Sequence, residues 1–144
     1  MKHIFSVHSP VTFLVAYATI KHLNLNKEDV LLISSKYTVP LDDYKVIPSF
    51  TEARNSTLVQ KLRYYNVPKS FDNYLDSHIQ GEAFTAYVDL MSYFQKILIT
   101  HIQCKVFHFI EEGNSAYQAY DDLQNITWSE RNEAWRDKGI LDFK

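Results

Sequence analysis

His3-Ile4-Phe5-Ser6-Val7-His8-Ser9-Pro10, running directly into Val11-Thr12-Phe13-Leu14-Val15-Ala16-Tyr17-Ala18-Thr19-Ile20, is the stretch whose reading decides the fold. His3 to Val7 reads as a short strand, and Val11 to Ile20 is an apolar run of helical length. Between them, Ser9 has the side chain an N-cap needs and Pro10 suits the first helical position, where a missing N–H costs nothing. A strand, a tight turn and a helix in this order open an α/β domain of the Rossmann-like kind. The turn also presents unsatisfied amides at a helix N-terminus, which can hold an anion or a sugar hydroxyl, so His8 and Ser9 are candidate substrate contacts. For His8, a loop histidine without a chemical role is the competing reading.

Working outward, strands and helices alternate. Asp29 to Ser34 is a second strand with the continuous apolar run expected where both sheet faces are covered. Tyr44 to Pro48 is a weaker third strand, placed at an edge because Pro48 cannot donate to a ladder. A helix is expected from about Ser56 to Tyr65, ending before Pro68, followed by a polar region from Lys69 to Gly81. Ala83 to Ile102 reads as one long core helix, with Phe84, Tyr87, Val88, Met91, Phe94 and Leu98 at three- and four-residue spacing. Cys104 opens a last strand that runs from Lys105 to Ile110. Beyond it, Ser115 to Leu123 looks helical, and Thr127 and Glu130 have capping-box spacing before a charged helix ending near Lys138 and Gly139. Trp128 and Trp135 would share one face of that helix, for packing on the domain or for an interface. The expectation is a three-layer α/β domain spanning 1–144, with a mostly parallel sheet and right-handed crossovers.

Phe107-His108-Phe109-Ile110-Glu111-Glu112-Gly113 then marks where chemistry could sit. A residue just past the last apolar position of a parallel strand points into the crevice where such sheets bind ligands. Glu111 and Glu112 occupy that place, and Gly113, one of 3 glycines, lets the chain turn sharply towards Asn114 and Ser115. The competing reading is a strand that ends in a solvated acidic turn. Successive side chains of a strand face opposite ways, so one acid would act and the other support it.

The opening Ile4-Phe5-Ser6-Val7-His8-Ser9-Pro10 and the later Ile110-Glu111-Glu112-Gly113-Asn114-Ser115-Ala116-Tyr117 resemble the N-terminal domain of bacterial sialyltransferases of the capsular polysialyltransferase and lipooligosaccharide sialyltransferase type. That resemblance implies one half of a GT-B arrangement of two Rossmann-like domains, and an inverting, metal-independent transferase acting in surface polysaccharide or glycolipid synthesis. It implies an acidic general base in the Glu111-Glu112-Gly113 motif, with Glu111 at the motif's first position, and His8, Ser9, Gly113, Asn114 and Ser115 on the acceptor side. It implies CMP-sialic acid as donor, held mainly by a C-terminal domain whose His-Pro motif contacts it. No His-Pro dipeptide occurs in this chain. The expected partners are a glycan acceptor and that missing domain or a second copy of the chain.

Composition narrows the alternatives. A chain of 144 residues suffices for one domain with a real core. Its formal net charge of -2 gives no electrostatic case for nucleic acid, although Arg54, Lys61, Arg63 and Lys69 could meet an anion. No glycine-rich phosphate loop follows the first strand, and no Asp-x-Asp spacing exists for a metal-held nucleotide sugar. One cysteine excludes an internal disulfide framework, and the 6 histidines have no metal-ligand spacing, so no metal site and no cofactor is expected. No targeting segment is evident, so a cytoplasmic location is expected, with peripheral contact at the inner face of the membrane as the resemblance allows. The apolar Ile140-Leu141-Asp142-Phe143 fits a chain that continues in a longer protein. Two classes of function follow: the acceptor-side half of a sialyltransferase-like enzyme, inactive alone, or a non-catalytic Rossmann-type binding or assembly module.

Overall fold

The computed structural model describes residues 1–63, 67–89 and 92–110. In chain order these form β1 (Lys2–Val7), α1 (Pro10–His22), β2 (Val30–Ser34), β3 (Lys45–Pro48), α2 (Phe50–Asn55), α3 (Leu58–Arg63), α4 (Val67–Ile79), β4 (Phe84–Val88), α5 (Tyr93–Ile99) and β5 (Cys104–Phe109). The expected helices and tryptophans beyond Gly113 lie outside the described residues.

Local chemistry fixes the first unit. Ser9 is the N-cap of α1 in extended conformation, its hydroxyl accepts from the Thr12 N–H, and Pro10 occupies the first turn. The helix stops where Asn24 takes a positive φ of 50°, with Lys21 and His22 in its last turn beside the negative end of the helix dipole. A second capping box, between Ser49 and Glu52, starts α2 immediately after β3. Gln80 and Gly81, both at positive φ, end α4, a conformation glycine adopts without strain.

The five strands are all parallel, in the order β3-β2-β1-β4-β5. Alternate strand residues feed two cores. On one face Phe5, Val7, Leu32 and Tyr87 pack with Phe13, Ala16 and Ile20 of α1. On the other, Ile4, Leu31, Ala86 and Val88 pack with Phe50 of α2, Phe71, Leu75 and Ile79 of α4 and Ile97 to Ile99 of α5. The result is the three-layer Rossmann-like sandwich, with β3 at an edge where Pro48 is tolerated.

Two elements differ from the sequence expectation. Ala83 to Ile102 is not one helix but β4, then α5, then a turn into β5. Phe84 to Val88 are all buried, and a strand covered on both faces has no alternation to separate it from a buried helix. The region Lys69 to Gly81, expected only as a polar stretch, is mostly the helix α4, with Pro68 in its first turn. Among the described side chains of that helix, Phe71, Tyr74, Leu75 and Ile79 join the core, a narrow stripe in a polar segment. The helix expected from Ser56 to Tyr65 corresponds to α3, with Tyr64 and Tyr65 outside the described residues, and α2 precedes it.

Candidate functional site

The sheet's connections set the site. β1 leads to β2 on one side through α1, whereas β3 returns through α2, α3 and α4 to β4 on the other side of β1. Strand order therefore reverses between β1 and β4, and the crevice outside their carboxyl ends is where open α/β sheets bind ligands. Phe5 of β1 pairs with Tyr87 of β4, so the two carboxyl ends lie within about a residue of each other; Ser35 N–H donates to Val7 O at 2.9 Å beyond β2, and Ile110 N–H to Val88 O at 2.7 Å beyond β5.

His8 and Asp89 are the residues immediately after β1 and β4. Their side chains meet across the reversal, His8 Nε2 lying 2.5 Å from Asp89 Oδ2. Asp89 is 1% exposed, whereas 29% of the His8 side chain remains accessible. The other Asp89 oxygen, Oδ1, accepts from Gln95 Nε2 at 2.5 Å. Gln95, from the first turn of α5, also donates to Ser6 Oγ at 3.0 Å. A buried carboxylate is costly unless its oxygens are satisfied, and here each oxygen has a donor. Because a carboxylate only accepts, the His8 Nε2 facing it is the donor of this pair.

The backbone that presents His8 is tied down by one hydroxyl. Thr12 Oγ1 accepts from both the His8 N–H and the Ser9 N–H, each at 3.0 Å, and donates to Ser9 O at 3.0 Å. Thr12 is 1% exposed. Ser9 Oγ is itself engaged with Thr12, accepting from its N–H at 3.2 Å, so the cap serves to orient the His8 turn. On the α1 face, Tyr87 stacks on Phe5 with ring centroids 4.0 Å apart and on His108 at 5.3 Å, and its hydroxyl meets His3 Nδ1 at 3.1 Å. Burial pushes the Tyr87 phenol up and the His3 imidazole down from their ordinary values. Beside this stripe lies an apolar cavity of about 650 Å³ lined by Leu14, Ala18, Tyr87, His108 and Ile110.

Of the residues singled out from sequence, His8 stands at the strand-order reversal and Ser9 in its supporting cap. Glu111, Glu112, Gly113, Asn114 and Ser115 lie outside the described residues; the chain reaches Ile110 at the same sheet edge as His8 and Asp89. Asp89, Gln95 and Thr12 were not singled out. Asp89 follows five buried residues that end a strand, the same position His8 holds after β1, and recognising β4 would have found it. Among the described residues no group of three His, Cys, Asp or Glu could hold a metal ion, and no helix is long and apolar enough to cross a membrane. Comparisons with protein families, curated proteins and solved structures give no match to the chain.

Proposed function

We propose that this chain is the acceptor-side domain of an inverting, metal-independent glycosyltransferase of the sialyltransferase type, acting in surface polysaccharide or glycolipid synthesis. The observation that carries the reading is the His8 and Asp89 pair at the reversal of an all-parallel sheet whose β5 leads into Glu111-Glu112-Gly113. In this reading the acceptor sugar lies in the crevice at the carboxyl ends of β1, β4 and β5. Glu111, supported by Glu112, takes the proton from the acceptor hydroxyl as its oxygen attacks the anomeric carbon of CMP-sialic acid. The bond to CMP breaks with its electron pair staying on the phosphate, and the configuration inverts. General-base assistance of this kind is worth about 10²–10⁴-fold, so Glu111→Gln in an active enzyme containing this chain should lower turnover by at least about a hundredfold.

Donor and acceptor must be held in near-attack geometry, and in the two-domain arrangement the donor belongs to the other half. The isolated chain should therefore bind acceptor glycan weakly, gain little from CMP and transfer nothing. Calorimetric titration with galactose-terminated and sialylated oligosaccharides, CMP and CMP-sialic acid tests this. Tight CMP binding, or transfer by the chain alone, would assign it to the donor side instead. The reading also implies a cytoplasmic enzyme working at the inner face of the membrane.

A further inference from the structure

Three of the four most exposed large apolar side chains among the described residues lie together on α3. Leu58, Val59 and Leu62 are 74%, 72% and 70% exposed, and α3 buries none of its residues. We propose that α3 is a membrane-docking element, which seats the domain on an anionic lipid surface with the carboxyl-end crevice on the lipid side. At about 100° per residue the three side chains fall on one stripe of the helix, and Lys61 and Arg63 border that stripe on its two sides. An apolar stripe flanked by cations is the pattern of a helix that lies in a lipid interface, its apolar side chains among the acyl chains and its cations at the headgroups. The surrounding charge is complementary to such a surface. Between Phe50 and Ser70 the cations Arg54, Lys61, Arg63 and Lys69 stand against one acid, Glu52, in a chain of net charge -2. The Glu52 carboxylate already accepts from the Lys36 N–H and from Ser49. Each cation near an anionic membrane is worth about fivefold in affinity. A protein partner is the rival occupant. Six residues of helix fall short of the i to i+7 anchors by which a partner's groove holds a helix, and lysine is depleted from protein interfaces, whereas Lys61 stands at the edge of this stripe. The connections also turn α3 towards the crevice. α2 begins directly after the carboxyl end of β3, and α4 runs from the α3 side back to the amino end, where β4 starts. α3 therefore lies at the carboxyl end of the sheet, the end at which His8 and Asp89 meet. The docking does not depend on the acceptor-side reading; joined to it, it sets the crevice against a membrane-borne acceptor.

The experiment is sedimentation of the 144-residue chain with vesicles of phosphatidylcholine, alone or mixed with phosphatidylglycerol, the bound fraction being read against lipid concentration. The wild type should bind the mixed vesicles, bind phosphatidylcholine alone more weakly, and lose affinity as salt screens the cations. Leu58→Ser combined with Leu62→Ser should weaken binding to the mixed vesicles by at least about tenfold, since each leucine removed from water is worth about that much. Lys61→Gln should weaken it about fivefold, and only on the mixed vesicles. Ile102→Ser, 83% exposed at the amino end of the sheet, should bind like the wild type. Because the replaced side chains are exposed, every variant should unfold at the wild-type temperature by circular dichroism; should the serine pair fail to fold, Lys61→Gln decides alone. A wild type that leaves the mixed vesicles unbound overturns the inference. So does binding that is unchanged in the folded serine pair or in Lys61→Gln. A wild type that light scattering shows to be dimeric, and that the serine pair makes monomeric, overturns it in favour of a second copy on α3. None of these measurements uses a sugar, so their failure leaves the acceptor-side reading to the glycan titration.

Discussion

Replacing Thr12 with Val should loosen the turn that carries His8 while preserving the side chain's shape. Thr12 Oγ1 is the acceptor for two backbone donors, the N–H groups of His8 and Ser9, each at 3.0 Å. Valine offers neither an acceptor, and a donor left without one costs about 1–3 kcal/mol when buried. His8 and Ser9 are only partly buried, so water can reach the freed donors and the lower end applies to each. The third bond, from the hydroxyl to Ser9 O, is cheap to lose because that carbonyl keeps the Phe13 N–H at 3.0 Å. The added methyl returns part of the loss through burial, and the net cost is about 2 kcal/mol. Thr12→Ser keeps the hydroxyl and loses only a buried methyl, about 1 kcal/mol. Urea unfolding followed by circular dichroism measures both, and amide exchange locates the damage: His8 and Ser9 should lose protection in the Val variant and keep it in the Ser variant. A Val variant within about 0.5 kcal/mol of wild type, or a Ser variant with the same exchange pattern as Val, would refute the assignment of that hydroxyl as the turn's anchor.

Leu75→Ala should cost about 2–5 kcal/mol, because Leu75 is fully buried where α4 meets the sheet; a loss below about 1 kcal/mol in a urea melt would mean that this helix does not seal the core. Burial pushes the Cys104 thiol up to about 11 from an ordinary 9.0. It should therefore resist iodoacetamide at neutral pH until the chain unfolds. The folded state holds the thiol proton more tightly, so the linked stability is intact below pH 9.0 and is lost as pH rises towards about 11, by up to about 3 kcal/mol. Cys104→Ala should flatten that alkaline loss, and identical alkaline profiles would exclude the thiol as its source. Glu52 is opposed by burial, but hydrogen bonds from the Lys36 N–H and from the Ser49 hydroxyl and N–H outweigh it and hold its pKa below the ordinary 4.5. Its contribution is present above pH 4.5 and disappears as pH falls through the lower folded value, so Glu52→Gln should cost about 1 kcal/mol at neutral pH and little in strong acid. A pH-independent difference between the two proteins would contradict this.

What the sequence by itself determined is the part governed by neighbours along the chain. Ser9, Pro10 and Thr12 start α1 through contacts three residues apart, so the turn holding His8 was legible, although the second grip of Thr12 on the His8 N–H was not singled out. β2 was legible from its continuous apolar run and β3 as an edge from Pro48, and β5 was placed by its ending at the acidic motif. The tertiary structure decided β4 and α4, and with them the partner of His8. Phe84 to Val88 are covered on both faces by side chains distant in sequence, which erases the alternation that identifies a strand. Only the parallel register of β1 with β4 brings Asp89 within hydrogen-bonding reach of a histidine 81 residues earlier, and Gln95 turns to them because α5 begins just beyond that strand. Short-range bonds encode the turn on which His8 stands. The carboxylate that orients it depends on the long-range packing that sets strand order, which no local pattern of residue types records.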